Sequence, residues 1–476
     1  MPGRFLEDMT TRRRGLVSLL DAMEGQMVIP PVDKDRLEAV FKAYDVRGLT
    51  PEELDEPMAK SLGAAFANFT NAEVVAVGRD MRTSGEALLA AFSEGVVSQG
   101  VDVRDIGLAS TDLLYFASGY LDVPAVMLTA SHNPASYNGM KFCQSRARAI
   151  GTDTGLTEIR RLAADPAEVA TNTGHIEKVD LLDKFVEHAH SFIDVDVLRP
   201  LRIVVDTANG MGGLVVPAAF KGLPFEYEIL YEELDGTFPN HPADPLQAEN
   251  LVDLQDRVIE SNADIGLAFD GDADRVFLVD ENANLISGSI TTALVASAML
   301  ESNGPGPILH NLICSRSTVE VIEEAGGEPI RTRVGHSYIK EVMAETGAIF
   351  GGEHSGHYYF ARNYGADSGL IAALIVLERL SLNGGPMSSL VAPLQRYASS
   401  GEVNVQVANT SDAIDKVSGF FSEQQQDRLD GLTVDCGDWW FNLRPSNTEP
   451  LLRLNVEGPD EEQVGHRVEQ ILALFS

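Results

Sequence analysis

Along most of the chain, short apolar runs end abruptly in polar, glycine-bearing loops. "EVVAVGRDMRTSG", "VPAVMLTASHNP", "LRIVVDTANGMGG" and "DIGLAFDGDADR" all have this form. The runs are of strand length and helical periodicity fills the stretches between them. That alternation predicts parallel or mixed sheets covered by helices, an α/β fold class. In such sheets ligands gather at the carboxyl ends of strands, so the loops are where chemistry is expected. The last stretch reads differently. "GEVNVQVAN" alternates, "LLRLNVEG" predicts another strand, and the chain closes on a helix. Val464, Val468, Ile471, Leu472 and Phe475 share one face of that helix, with Asp460, Glu461 and Glu462 at its start. This is a small α+β module. No low-complexity linker separates the modules, so they are expected to pack around a shared cleft.

A length of 476 residues sets the number of domains at three or four, at roughly 100–200 residues each. Residues 1–33 read as an extension, with a short helix at 12–24 that Pro30 and Pro31 terminate. Arg12, Arg13 and Arg14 precede "GLVSLL", but this apolar piece is too short for an export signal, and Asp21 and Glu24 interrupt the residues after it. No run approaches the ~18–20 apolar residues of a membrane span, and "GLIAALIVL" is expected to be a buried helix. Cys143, Cys314 and Cys436 lie far apart without CxxC spacing, as in a reduced, cytoplasmic protein.

The net charge of −35 excludes nucleic acid and anionic membrane surfaces as partners. It also opposes any phosphorylated ligand. Salt screens the distant field beyond ~8 Å, so such a ligand would need basic residues gathered at the site itself.

Four loops carry candidate chemistry. In "TASHNPASYNG", Asn133-Pro134 and Asn138-Gly139 supply ordinary turn chemistry, and a well-made turn is one reading. Ser131 at a strand end is the other: a hydroxyl able to carry a phosphoryl group, given a divalent cation and a nearby base or cation such as Lys141. GxSxG is absent, which leaves acyl hydrolysis without support. In "LAFDGDADRV", Asp270, Asp272 and Asp274 alternate after a strand and can converge on one hard cation. Glu281 completes calcium-loop spacing, but Arg275 stands where that loop needs glycine, and "VFLV" comes next as a strand. Three carboxylates with a phosphate oxygen suit Mg²⁺, and Arg275 is placed to clamp phosphate. In "FGGEHSGHYYF", Glu353, Ser355 and His357 alternate, so extended backbone would point all three the same way, toward sugar hydroxyls. A glycine-hinged turn is the plainer alternative. In "NLRPSNTEPLLRL", Arg444, Ser446, Asn447 and Thr448, followed by Arg453, make either a phosphate cradle or a structural turn.

Taken together, "TASHNP", "DGDADR", "GEHSGH" and "RPSNTEP" occur in an order and spacing that resemble the α-D-phosphohexomutase family, and within it the bacterial phosphomannomutase/phosphoglucomutase branch. "AYDVRG" (43–48), "GRDMRTSG" (78–85), "DGTFPNH" (235–241) and "VGHSYIK" (334–340) extend the likeness over residues ~38–476. The resemblance implies three similar α/β domains with mixed sheets and a small C-terminal α+β domain around a central cleft. These are expected at 34–180, 181–288, 289–396 and 397–476. It further implies that Ser131 is a phosphoserine, and that its phosphate joins Asp270, Asp272 and Asp274 in holding one Mg²⁺. Glu353 and Ser355 would read sugar hydroxyls. Arg444, Ser446, Asn447 and Thr448 would bind phosphate, with Tyr44, Arg47, His336, Arg275 and Arg453 as further substrate contacts. His132, Lys141 and His357 would sit near the transferring proton and phosphoryl group. One departure is Ile313, where bifunctional relatives carry lysine: either one phosphate contact is missing here, or Arg316 or Arg333 supplies it.

The implied activity is interconversion of hexose 1-phosphate and hexose 6-phosphate, of mannose or glucose, through a hexose 1,6-bisphosphate that is both intermediate and activator. Phosphoglucosamine mutase and a non-catalytic sugar-phosphate-binding protein are the alternatives, and a monomer or homodimer is expected. Arg47, Lys141, Arg275, His336, Arg444 and Arg453 would converge on the cleft and so reconcile a phosphorylated substrate with the acidic surface.

Overall fold

The computed structural model describes residues 28–407, 409–445 and 451–475. The helix expected at 12–24 and the site candidates Ser446, Asn447 and Thr448 lie outside the described residues, as does the side chain of His336. Residues 28–33 do not behave as an extension. Val28–Ile29 pairs with Ala167–Glu168, the Val32 amide donates to the Ala163 carbonyl, and Asp33 caps the helix Lys34–Val40. Burial explains this: Ile29 and Val32 are apolar, and they close the first domain's edge.

Three sheets share one topology. In the second, Arg202–Asp206 lies between parallel neighbours Glu226–Leu230 and Ile265–Phe269, and the latter turns back into antiparallel Val276–Asp280 and then Leu285–Ile286. The third repeats it. Pro307–Asn311 lies between Glu328–Thr332 and Phe350–Gly352, which folds back into Tyr358–Phe360 and Ala366–Asp367. In the first, Val74–Arg79 lies between Asp102–Leu108 and Ala125–Leu128, which reverses into Tyr137–Gln144 and pairs onward to Val46–Leu49. The turn that leaves the parallel set is therefore equivalent in all three. It is 129–136 in the first, 270–275 in the second and 353–357 in the third. Those turns are the loops that stand out in the sequence.

The three units are not independent bodies. One continuous apolar core runs through Leu114 and Phe116 of the first, Ile203 and Phe269 of the second, and Phe350 and Ile375 of the third. It fixes the equivalent turns relative to one another. "GLIAALIVL" lies in the buried helix Gly369–Asn383. No single helix among the described residues is long and apolar enough to cross a membrane; that helix and Met387–Leu394 reach the length only across a 97° bend.

The last unit is an antiparallel sheet in the order Ala398–Gln406, Leu451–Gly458, Trp440–Pro445, Leu432–Asp435, Gln425–Asp427. It has its own core around Trp439 and Phe441. The expected apolar face of Glu461–Leu472 packs into it through Val464 and Ile471, with Val468, Leu472 and Phe475 partly buried beside them.

One core residue makes stability pH-dependent. His310 on Pro307–Asn311 is buried beside Arg331 of the neighbouring strand, and burial pushes its imidazole down to about 4. That is below the unfolded value of ~6.5. As pH falls, the unfolded chain takes up this proton first, so the contribution is whole above ~6.5 and lost as pH drops toward 4. Replacing His310 with Gln should shrink the loss of stability between about pH 7 and pH 4.5 by on the order of 3 kcal/mol. Denaturant midpoints of both proteins at the two pH values measure it. Equal acid-side losses would contradict the assignment.

Candidate active site

The first turn comes after Ala125–Leu128, and at its centre Ser131 has φ 51°. A residue with a Cβ held in the left-handed region costs of order 1–3 kcal/mol, so the surroundings must hold it there. They do. The Ser131 amide donates to Thr129 Oγ1 at 2.9 Å and its carbonyl accepts from Arg82 Nη2 at 2.8 Å. The hydroxyl Oγ donates to Asp270 Oδ2 at 2.9 Å and lies 3.2 Å from His132 Nδ1.

The second turn sits against the first, backbone to backbone. A Cβ on Gly271 would lie 2.4 Å from the Ser131 carbonyl oxygen, which is why glycine separates the first two aspartates. Asp270, Asp272 and Asp274 are buried, and one carboxylate oxygen from each falls within 4.8 Å of the others. Thr111, at the start of the helix Thr111–Leu121, donates its amide to the Asp272 carbonyl and its hydroxyl to Asp272 Oδ2. Lys141 Nζ bridges Asp272 Oδ2 at 2.7 Å and Asp274 Oδ2 at 2.6 Å. Arg275 Nε donates to Asp270 Oδ2 at 2.9 Å, and its Nη2 is 2.6 Å from His132 Nδ1.

Lys141 and Arg275 thus face three buried carboxylates, two cations against three acidic groups. Among the described residues, Asp272 Oδ1 and Asp274 Oδ1 are buried with no hydrogen-bond partner. Buried carboxylate oxygens without donors are costly unless a cation meets them, so the donor set fits a hard metal ion. Burial pushes Asp270 up; it acts against Asp272 too, but there the Lys141 ammonium outweighs it and holds that carboxyl low. Burial also opposes the charge on Lys141, yet Asp272 and Asp274 keep it well above its ordinary value. His132 is held well below its usual range by burial and by the Arg275 and Arg47 charges.

The third turn departs from the sequence expectation. Glu353, Ser355 and His357 do not share one face of extended chain. The Gly356 amide returns to the Glu353 carbonyl, the Glu353 amide to the His357 carbonyl, and Gly356 has φ 85°. The backbone reverses there, so Glu353 and His357 point to different partners, with Ser355 half-buried at the tip. His357 bridges to Arg275 of the second turn. Its Nδ1 is 2.9 Å from Asp367 Oδ2 and 3.8 Å from Asp274 Oδ1, and these carboxylates outweigh burial and raise its pKa. Asp367 in turn holds Lys340 Nζ at 2.9 Å, over the Tyr115 ring. Glu353 accepts from the Gly335 amide at 3.1 Å and from the Tyr359 hydroxyl at 2.7 Å. Tyr44 packs against Gly335 and edge-on to Tyr338, and burial pushes its phenol up to about 12.

Arg47, Tyr115, Ser131, His132, Lys141, Asp274, Arg275, His357 and Asp367 line a cavity of ≈ 60 Å³. That is room for a few water-sized groups, the scale of a phosphoryl group rather than a hexose. Arg444 and Arg453 are not in it. They come together in the last unit, gripping Glu402 from opposite oxygens at 2.9 Å and 3.1 Å. Of the expected basic cluster, the structure gathers Arg47, Lys141 and Arg275 at the cavity, and Arg444 with Arg453 apart from it. Arg316 does not take the place of a lysine at position 313: it holds Asp435 and the Gly437 carbonyl, and docks the last unit. Arg333 instead stacks on Tyr338 and carries no carboxylate partner among the described residues.

Asp80, Arg82, Thr111, Lys340 and Asp367 belong to the site's surroundings without being singled out by the sequence patterns above. "GRDMRTSG" is conspicuous, and its strand-then-charged-loop form matches the other site loops. Lys340 ends the motif "VGHSYIK", and nothing local marks Asp367.

Family models for phosphoglucomutase/phosphomannomutase match in sequence order: α/β/α domain I at residues 38–169, domain II at 183–284, domain III at 287–397 and the C-terminal domain at 402–474. Among curated relatives, the phosphomannomutase of Escherichia coli K12 is 42% identical over 429 residues, covering 88% of this chain and 94% of that one. A crystal structure of a phosphoglucomutase/phosphomannomutase family protein from Burkholderia thailandensis aligns with a TM-score of 0.84 at 34% identity, over 91% of this chain and 97% of that one. The Aspergillus fumigatus N-acetylphosphoglucosamine mutase, solved with GlcNAc-6P and magnesium, shares the fold at a TM-score of 0.60 and 15% identity, over 94% and 98% of the two chains. A turn that presents a serine to three buried aspartates, repeated scaffolds on either side, and matches that span all four units lead to one conclusion: this chain belongs to the phosphoglucomutase/phosphomannomutase family.

Proposed function

We propose that this phosphohexomutase interconverts the 1- and 6-phosphates of mannose or glucose, with Ser131 as the phosphoryl carrier. One observation supports it above the rest. Ser131 Oγ lies 2.9 Å from Asp270, beside two buried carboxylate oxygens that lack donors. Asp270, Asp272 and Asp274, with an oxygen of a Ser131 phosphate, would hold Mg²⁺. When bound, the cation would offset charge on the transferring group. Hard oxygen ligands favour magnesium, and the magnesium-bound Aspergillus enzyme agrees with that reading.

Each residue has a distinct task in this reaction. Arg444 and Arg453, with Ser446, Asn447 and Thr448, hold the phosphate that is not reacting, and Tyr44, His336, Glu353 and Ser355 contact the sugar. Arg47 and Arg275 hold the transferring phosphate. Lys141, kept charged by two carboxylates, serves as a cation and not as the base. His357 is the better base, because Asp367 occupies Nδ1 and leaves Nε2 for the proton. The 6-hydroxyl oxygen of a hexose 1-phosphate bonds to phosphorus while the bond from phosphorus to Ser131 Oγ breaks. The electron pair stays on Oγ, and the hydroxyl proton passes to His357. The hexose 1,6-bisphosphate turns end for end, Ser131 Oγ takes the phosphoryl group from position 1, and the sugar oxygen released there recovers the proton. A hexose 6-phosphate leaves. We further propose domain limits of 28–180, 181–288, 289–396 and 397–476, the first widened from 34 by the pairing of Val28–Ile29, and a cytoplasmic setting, which the unpaired, buried Cys143 and Cys314 support.

The test is turnover of mannose, glucose and glucosamine 1-phosphates with Mg²⁺ and catalytic glucose 1,6-bisphosphate. Turnover of mannose or glucose 1-phosphate is expected, lost on chelation and restored by Mg²⁺. Exclusive turnover of the glucosamine ester would move the assignment to phosphoglucosamine mutase. No turnover of any would leave a sugar-phosphate-binding protein.

A further inference from the structure

We infer that Arg82 and Asp80 form a positioning pair that holds Ser131 in its strained, transfer-competent conformation. The inference rests on Ser131 being the phosphoryl carrier. Both side chains are fully buried, outside the cavity, and no step above uses them. The Arg82 guanidinium uses every N–H it has. Nε donates to Asp80 Oδ2 at 3.2 Å, Nη1 to the carbonyls of Pro134 and Tyr137 at 2.8 and 2.9 Å, and Nη2 to those of Ser131 and Asn133 at 2.8 and 2.7 Å.

Three of those carbonyls belong to the serine turn, and the fourth, that of Tyr137, opens the strand that leaves it. Four oxygens that converge from the turn and the strand start after it repel each other, and a planar, permanently charged fork is the group that draws them together. Asp80 acts from the other side. It orients the guanidinium and accepts from Thr129, whose oxygen receives the Ser131 amide. Both backbone groups of Ser131 are thereby tied to the same ion pair. Phe238 lies over the guanidinium at 5.2 Å, and a Cβ on Gly236 would lie 2.5 Å from Arg82 Cα, so the "DGTFPNH" loop seals the pair from water. Arg82 touches no reacting atom. It acts through the turn.

The substitution Arg82→Lys supplies at most three donors where five are used, and Thr129→Val removes the amide tie together with the hydroxyl that meets Asp80, at constant shape. Each purified protein is treated with glucose 1,6-bisphosphate, phosphate on the Ser131 peptide is timed by mass spectrometry, and kcat and KM for glucose 1-phosphate are measured. In both variants, phosphorylation of Ser131 and kcat should fall ~10-fold or more, since a displacement of ~1 Å costs up to ~10²-fold. KM should stay within about twofold of wild type, because the pair does not touch substrate. Should Arg82→Lys not fold, Thr129→Val decides. Wild-type rates in either folded variant, or a loss carried by KM, would overturn the inference. If wild-type protein itself takes no phosphate on Ser131, the functional reading falls, and this inference with it.

Discussion

Replacing Ser131 with Ala should give a folded protein that still binds hexose phosphate and converts none of it. The hydroxyl's structural contribution is small. Asp270 keeps its bonds to Arg275, and losing one neutral donor costs about 1 kcal/mol. The turn is shaped by backbone bonds from Ser131 to Arg82 and Thr129, and alanine retains them. Its chemical contribution is total, because among the described residues no other serine or threonine lines the cavity. Losing a nucleophile that acts with its neighbours as a unit costs on the order of 10⁴-fold or more in kcat. Isothermal titration with glucose 1-phosphate, beside the coupled mutase assay, separates the two roles. Retained turnover would place the phosphoryl carrier elsewhere.

A second large effect is expected at Lys141. Among the described residues no other lysine or arginine is bonded to Asp272 or Asp274, and both carboxylates are buried. Lys141→Met keeps most of the side-chain volume and removes the charge. Breaking a buried ion pair from one side costs about 3–5 kcal/mol, since the partner charge is left unpaired. A divalent cation can replace that charge, so Mg²⁺ should stabilise the variant far more than wild type. Denaturation midpoints with EDTA and with excess Mg²⁺ test this. The expected pattern is a large deficit in EDTA that Mg²⁺ narrows, while kcat stays low because the group facing the transferring phosphate is gone. Equal stability of the two proteins in EDTA would contradict the charge balance drawn here.

Much of this site is legible in the sequence because its chemistry is local. Asp270, Asp272 and Asp274 alternate after an apolar run, and a strand end does bring them together. Ser131 stands out as a reactive group in a turn rich in Asn and Pro. The repeated topology then explains why these loops meet: each is the reversal that ends a parallel strand, and one apolar core locks the three in place. Direction is harder to read. Spacing at alternate positions suggests that Glu353, Ser355 and His357 point one way, but Gly356 allows the chain to turn back between them. Arg316 looks like a phosphate ligand from its place in the sequence, and its carboxylate partner lies 119 residues away. Arg82 and Asp367 escape notice for the same reason. Their meaning comes from partners on other strands and turns, Ser131 for the one and His357 for the other, and no local pattern records such pairings.

The central claim is that Ser131 carries the phosphoryl group, and a single-turnover label transfer tests it most directly. Protein labelled with ³²P from glucose 1,6-bisphosphate is freed of donor and mixed with unlabelled mannose or glucose 1-phosphate. The account predicts label on the Ser131 peptide beforehand, then its passage into hexose bisphosphate at a rate no slower than kcat. Product formed at the full rate while the label stays on Ser131, or never reaches it, would contradict the account.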